Sequence, residues 1–139
     1  LALSDLIFSG FFDRHPDMVV MCSEFGLTWL PGYVDKLQDG RSAFREMGLE
    51  LTPREYIIRN IRFTTLPQGD AGGSVADPAD WFIEEFGNDT LWFASDFPHP
   101  EGSSRAVDQF TTMLDGKVDE ATKSRFFGDG ALEALGIRF

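Results

Sequence analysis

Asp96 and His99 stand three residues apart in Ser95-Asp96-Phe97-Pro98-His99-Pro100, directly after the apolar run Leu91 to Ala94. A carboxylate delivered by a strand end can hold a divalent cation, take a proton from water that such a cation activates, or cap the next helix. His99 can orient a substrate, exchange a proton, or serve as a hydrogen-bonded structural histidine. Pro98 and Pro100 stop the strand, so both polar groups remain at its carboxyl end, where ligands collect in sheets built from strand-helix units.

Glu24 follows a second apolar run, Met18 to Cys22, in the same way. Residue parity puts Val20, Cys22 and Glu24 on one side, so Glu24 is expected to face the same rim as Asp96. A carboxylate pair there can share a cation or divide acid and base roles. The alternative for Glu24 is a salt bridge to Arg59 or Arg62. Trp29 is read as core or pocket wall. Cys22, inside an apolar run, reads as a small core residue, and His15 lies at the opposite end of its strand from the rim.

These groups need strands to present them. Pro16 ends an opening helical pattern, and Met18 to Cys22 reads as a strand buried on both faces. Helical spacing resumes at Trp29, Leu30, Tyr33, Val34 and Leu37, followed by a polar interval, Gln38 to Arg45. Thr52-Pro53-Arg54-Glu55 has the form of a capping box that opens a helix. Ile61 to Leu66 reads as the next strand, and the glycine-rich segment Pro67 to Ser74 as a flexible surface loop, since no phosphate-loop spacing exists. Asp77-Pro78 starts a helix closed by Gly87, Thr90 to Ser95 forms the last strand, Ser103 or Ser104 caps a helix to Leu114, and Val118 to Phe127 supplies another before a short final helix. Strands separated by helices imply an α/β fold of about three parallel strands with flanking helices.

Composition excludes several classes. The chain of 139 residues carries 23 acidic and 12 basic residues, a formal charge of -11, which repels nucleic acid. One cysteine excludes an internal disulfide framework and points to a reducing, cytoplasmic setting. No stretch has the length and composition of a membrane span or a targeting segment. There is no HxH, HExxH or GxSxG motif, and with two histidines the chain cannot build a histidine-rich metal site by itself.

Ser95-Asp96-Phe97-Pro98-His99, Ser9-Gly10-Phe11-Phe12-Asp13-Arg14-His15-Pro16-Asp17, and Glu24-Phe25-Gly26-Leu27-Thr28-Trp29-Leu30 together resemble the carboxyl-terminal part of the amidohydrolase-related family. The branch resembled includes aminocarboxymuconate-semialdehyde decarboxylase. Thr52-Pro53-Arg54-Glu55-Tyr56 and Phe127-Gly128-Asp129-Gly130-Ala131-Leu132 extend the likeness over nearly all of residues 1–139, read as one portion of a single domain. The resemblance implies a metal-dependent TIM (β/α)8 barrel whose last three strands are these. It makes Asp96 a metal ligand and proton-transfer group, with the histidine ligands on strands preceding Leu1. The ion expected is divalent, zinc foremost and manganese second.

Two positions depart from the family pattern. Glu24 stands where the decarboxylases carry a catalytic histidine, and Gly130 where asparagine is common. The expected function is therefore a metal-dependent hydrolase of a small carboxylated or cyclic substrate, with Asp96 and Glu24 catalytic and His99 and Trp29 lining the substrate space. Nonoxidative decarboxylation is the alternative, and a non-catalytic α/β interaction module is the third reading. The partner expected is a small molecule, with neither nucleic acid nor membrane, and a homodimer for the complete protein. The 139 residues alone are expected to be inactive, because three strands cannot close a barrel.

Overall fold

The computed structural model describes residues 2–39, 46–70 and 76–138. Most of the polar interval and the end of the glycine-rich segment, residues 40–45 and 71–75, lie outside the described residues. The elements run α1 (Ala2–Phe8), α2 (Phe11–Arg14), β1 (Val20–Cys22), α3 (Leu30–Asp39), α4 (Pro53–Asn60), β2 (Ile61–Thr64), α5 (Ala79–Phe86), β3 (Leu91–Trp92), α6 (Ala106–Leu114), α7 (Glu120–Ser124) and α8 (Gly130–Ala134). Between α7 and α8 the chain passes through a wide turn, Arg125–Asp129, kinked at Gly128.

The three strands form one parallel sheet in the order β1-β2-β3, as the alternation of strands and helices requires. Each is shorter than its apolar run. β1 begins only at Val20, since Met18 N–H still bonds to the His15 carbonyl, β2 ends at Thr64, and β3 ends at Trp92, where Phe93 N–H leaves the sheet for the Phe126 carbonyl.

The helices cover one sheet face. Val20, Ile61, Phe63 and Leu91 pack there with Leu30, Tyr56, Phe82 and Phe110. Phe63 meets Phe82 edge-on at 5.5 Å, and Phe110 meets Phe126 at 5.6 Å. Such pairs contribute about 0.5–1.5 kcal/mol each beyond burial, so this aromatic layer fixes the sheet on its helices. Register places Met21, Arg62, Thr64 and Trp92 on the opposite face. Met21 is 55% exposed there, so β1 is covered on one face and not on both, contrary to the reading of its continuous apolar run.

Local signals explain most helix ends. Thr52 accepts from the Glu55 backbone N–H while Glu55 accepts from Thr52 N–H, the capping box that opens α4. Asp119 accepts from Thr122 N–H and caps α7, which divides the expected helix Val118 to Phe127. Left-handed Gly10 divides the opening helical pattern into α1 and α2. Buried Asn60 donates to the carbonyls of Pro16 and Met18, tying the entry of β1 to the end of α4. At the far side of β3, Phe93 N–H bonds to the carbonyl of Phe126 at 2.9 Å, so the kinked turn occupies that strand edge.

Candidate metal-binding site

Two strand ends and one loop bring Glu24, Asp96 and His99 together. Each offers one ligand atom, and these atoms lie within 4.8 Å of one another. Ligands on opposite sides of a small divalent ion are about 4.4 Å apart at roughly 2.2 Å each, so a small rotation of an exposed side chain closes the set. Trp29 stands apart from the three. Its Nε1 donates to the carbonyls of Phe25 and Gly26 at 3.1 and 2.9 Å, and its ring meets Tyr33 and Phe63.

Asp96 adopts a left-handed backbone, φ 50°, which swings its carboxylate out of strand alternation. The side chain is only 5% exposed, whereas that of His99 is 60% exposed. His99 Nδ1 lies 2.9 Å from Asp96 Oδ1, and the tautomer in which Nδ1 donates leaves Nε2 to face substrate or cation. The other oxygen, Asp96 Oδ2, is buried without a hydrogen-bond partner among the described residues. An unpartnered buried oxygen costs about 1–3 kcal/mol. A cation repairs that deficit, so the residues fit a metal: Asp96 through Oδ2, Glu24 through its carboxylate and His99 through its ring.

Helix capping, the bland role for Asp96, does not occur. The next helix, α6, begins at Ala106 with no side-chain cap. Asp96 is held from behind instead. His99 N–H and Asp96 carbonyl bond at 2.9 Å, Gly102 N–H and His99 carbonyl at 2.9 Å, and Ser103 N–H and Ser95 carbonyl at 2.9 Å. A Cβ on Gly102 would stand 2.2 Å from the Asp96 carbonyl oxygen and 2.7 Å from Phe97 N. Gly102 is therefore required by close approach, a role that only the fold reveals.

Glu24 reaches the same mouth by a different route from the parity expected. Val20 and Cys22 pack against the helix-side core, so strict alternation would point Glu24 away from the mouth. Its own left-handed backbone, φ 64°, breaks the alternation. Neither expected arginine pairs with it: Arg59 donates to Asn60 Oδ1 and the Phe12 carbonyl, and Arg62 to the carbonyls of Ile58 and Ile61. Glu24 N–H donates to Thr64 Oγ1 at 3.2 Å.

Several polar residues serve tertiary contacts where local ones were expected. Asp77 does not cap α5; its two oxygens accept from Leu27 N–H at 2.9 Å and Leu66 N–H at 2.6 Å. Burial pushes its carboxyl up from the ordinary value while these two bonds pull it down. Neither Ser103 nor Ser104 caps α6. Asp70 accepts from Ser103 Oγ, Ser104 N–H and Ser104 Oγ, so the described part of the glycine-rich segment is anchored, and these bonds hold the Asp70 carboxyl below its ordinary value. Cys22 is half-buried, and burial raises its thiol, as suits a core residue. His15 closes α2 and stacks on Phe11, remote from the mouth.

The profile of the family described as amidohydrolase matches residues 1–137. No curated protein gives a significant match. Among solved structures, an amidohydrolase from Mycobacterium avium subsp. paratuberculosis K-10 is 25% identical with a TM-score of 0.78, covering 96% of this chain and 32% of its own. A 5-carboxyvanillate decarboxylase from Novosphingobium aromaticivorans, complexed with manganese and 4-hydroxy-3-methoxy-5-nitrobenzoic acid, is 26% identical with a TM-score of 0.64, covering 98% and 38%. A dihydroxybenzoic acid decarboxylase from Polaromonas sp. JS666, with manganese and 2-nitroresorcinol bound, shares the fold at 20% identity and a TM-score of 0.66, covering 96% and 38%. The chain thus spans about a third of the length of these proteins, as a three-stranded part of a barrel does.

Proposed function

This chain belongs to the amidohydrolase family, and from that premise we propose that the complete protein is a divalent-metal enzyme that removes carbon dioxide from a small hydroxylated aromatic or related carboxylic acid. The observation that carries the metal is the buried, unpartnered Asp96 Oδ2 beside Glu24 and His99. The decarboxylase at 26% identity, with its manganese and its nitrobenzoic acid, supports the substrate class and displaces hydrolysis from first place. A divalent cation held here supplies a fixed positive charge that polarises substrate oxygens.

The chain's own residues divide the remaining work. Asp96 would hold the cation through one oxygen and fixes the His99 ring through the other. His99, with Nε2 directed away from that bond, would complete the cation site and so help set the orientation of the substrate. Glu24 carries the proton to the carbon that loses its carboxylate; the carbon–carbon bond breaks, and its electron pair remains with the newly protonated carbon. Trp29, expected as a wall of the substrate space, instead braces the loop that carries Glu24, through its bonds to the Phe25 and Gly26 carbonyls.

Hydrolysis is the second reading, and Glu24 itself favours it, since a carboxylate beside a cation can take a proton from attacking water. Hydroxybenzoates labelled with 13C in the carboxyl group, incubated in D2O with the complete protein and Mn2+, separate the two. Labelled carbon dioxide with deuterium on the vacated carbon is the expected result. Solvent oxygen taken up from H2 18O by the ring-opened product of a lactone or cyclic amide of such an acid, with the carboxylate retained, would establish hydrolysis instead.

A further inference from the structure

β2 and the segment after it contribute nothing to the three-residue cluster, yet they reach the loops that do. Thr64 and Asp77 contact the loop carrying Glu24, while Thr65 and Asp70 contact the segment around Asp96. Of these, Asp77 is the buried carboxylate, and no step proposed above uses it. Its oxygens are both spent on backbone N–H groups, one at Leu27 and one at Leu66. Burying a carboxylate is costly, and only a carboxylate accepts at both positions at once.

The loop it holds is not in a default conformation. Glu24 and Gly26 are both left-handed, with φ of 64° and 61°. For a non-glycine residue such as Glu24 that conformation persists only when neighbouring contacts impose it. The loop is fixed on both sides of this pair, by Glu24 N–H on Thr64 Oγ1 and by Leu27 N–H on Asp77 Oδ1. Released at Leu27, Glu24 would return toward an ordinary backbone and carry its carboxylate away from Asp96.

We propose that Asp77 is a positioning residue which acts through Glu24, holding that carboxylate in register with Asp96 at the cation. This rests on the reading of Glu24 and Asp96 as cation ligands. The test is a Co2+ titration of the complete protein, followed by visible absorption, which reports ligand geometry, for the parent, Asp77→Asn, Glu24→Gln and the double variant. Asp77→Asn is expected to weaken Co2+ about tenfold and alter the absorption in the parent, but to change affinity less than about twofold once Glu24→Gln is present. Should Asp77→Asn fail to fold, Asp77→Glu, which keeps two acceptor oxygens but displaces them from Leu27 and Leu66, replaces it in the same comparison. Equal loss in both Glu24 backgrounds would reduce Asp77 to a structural residue and overturn the proposal. Unchanged Co2+ binding in Glu24→Gln would overturn it at its base, and Asp96→Asn, measured alongside, shows whether the cation site itself stands.

Discussion

Asp96 is asked to do two things with its two oxygens, and this sets what each substitution should reveal. One oxygen holds His99; the other is buried without a partner among the described residues. A cation that satisfies the second stabilises the folded state by mass action, so Mn2+ should raise the melting temperature of the complete protein but not that of Asp96→Asn. An equal rise in both would remove Asp96 from the metal site. Gly102→Ala tests the support behind it. The position has no left-handed φ, so backbone freedom is not the issue, and the new Cβ would meet the Asp96 carbonyl at 2.2 Å. Relieving that overlap should cost about 1–3 kcal/mol in urea denaturation and weaken Mn2+. Asp77 supplies a pH signature of opposite kind from an ordinary paired carboxylate. Burial raises its carboxyl above the ordinary 3.8, so the folded chain holds this proton more tightly than the unfolded chain. Stability from this group is therefore full below that value and declines as pH rises through the raised one. Asp77→Asn should flatten that part of a stability–pH profile, measured by denaturation at successive pH values.

At the scale of elements, α4 offers a clean separation of folding from function. Its capping box is intact, and it lies at the start of the helix, a full helix length before the strand that follows. Thr52→Ala should cost about 1 kcal/mol in denaturation experiments and leave Mn2+ affinity unchanged. That box was legible from four consecutive residues because both of its bonds are local. That the strands run parallel was legible because helices separate the apolar runs, while their order was implied only by the family resemblance. What the sequence concealed was long-range. Asp77, Ser103 and Ser104 have the residue types of helix caps, yet they bond N–H and carboxylate groups of other segments, because such side chains satisfy any donor or acceptor within reach. Glu24 was placed at the mouth by parity, but its left-handed backbone, invisible to periodicity, is what brings it there.

At the scale of the whole molecule, the sheet is covered on its helix face and left open on the other face at β1. Its helix face carries the buried aromatic core, while Met21 on the other face and Phe25 and Phe97 at the mouth are exposed, Phe97 by 60%. That face is open along β1, whereas Thr64 and Trp92 on it are buried, and among the described residues only the ends of β1 and β3 bring groups to the cluster, two carboxylates and one imidazole. Three ligands from two strand ends can attract an ion, but they leave most of a substrate pocket without walls, and water has free access to the Glu24 carboxylate. The 139-residue chain alone should therefore bind Mn2+ weakly, take up a hydrophobic dye on the Met21 face, and release no carbon dioxide from hydroxybenzoates. The complete protein should suppress the dye signal and show turnover under the same conditions. Metal-dependent turnover by the 139 residues alone would mean that Glu24, Asp96 and His99 suffice for the chemistry without a closed barrel.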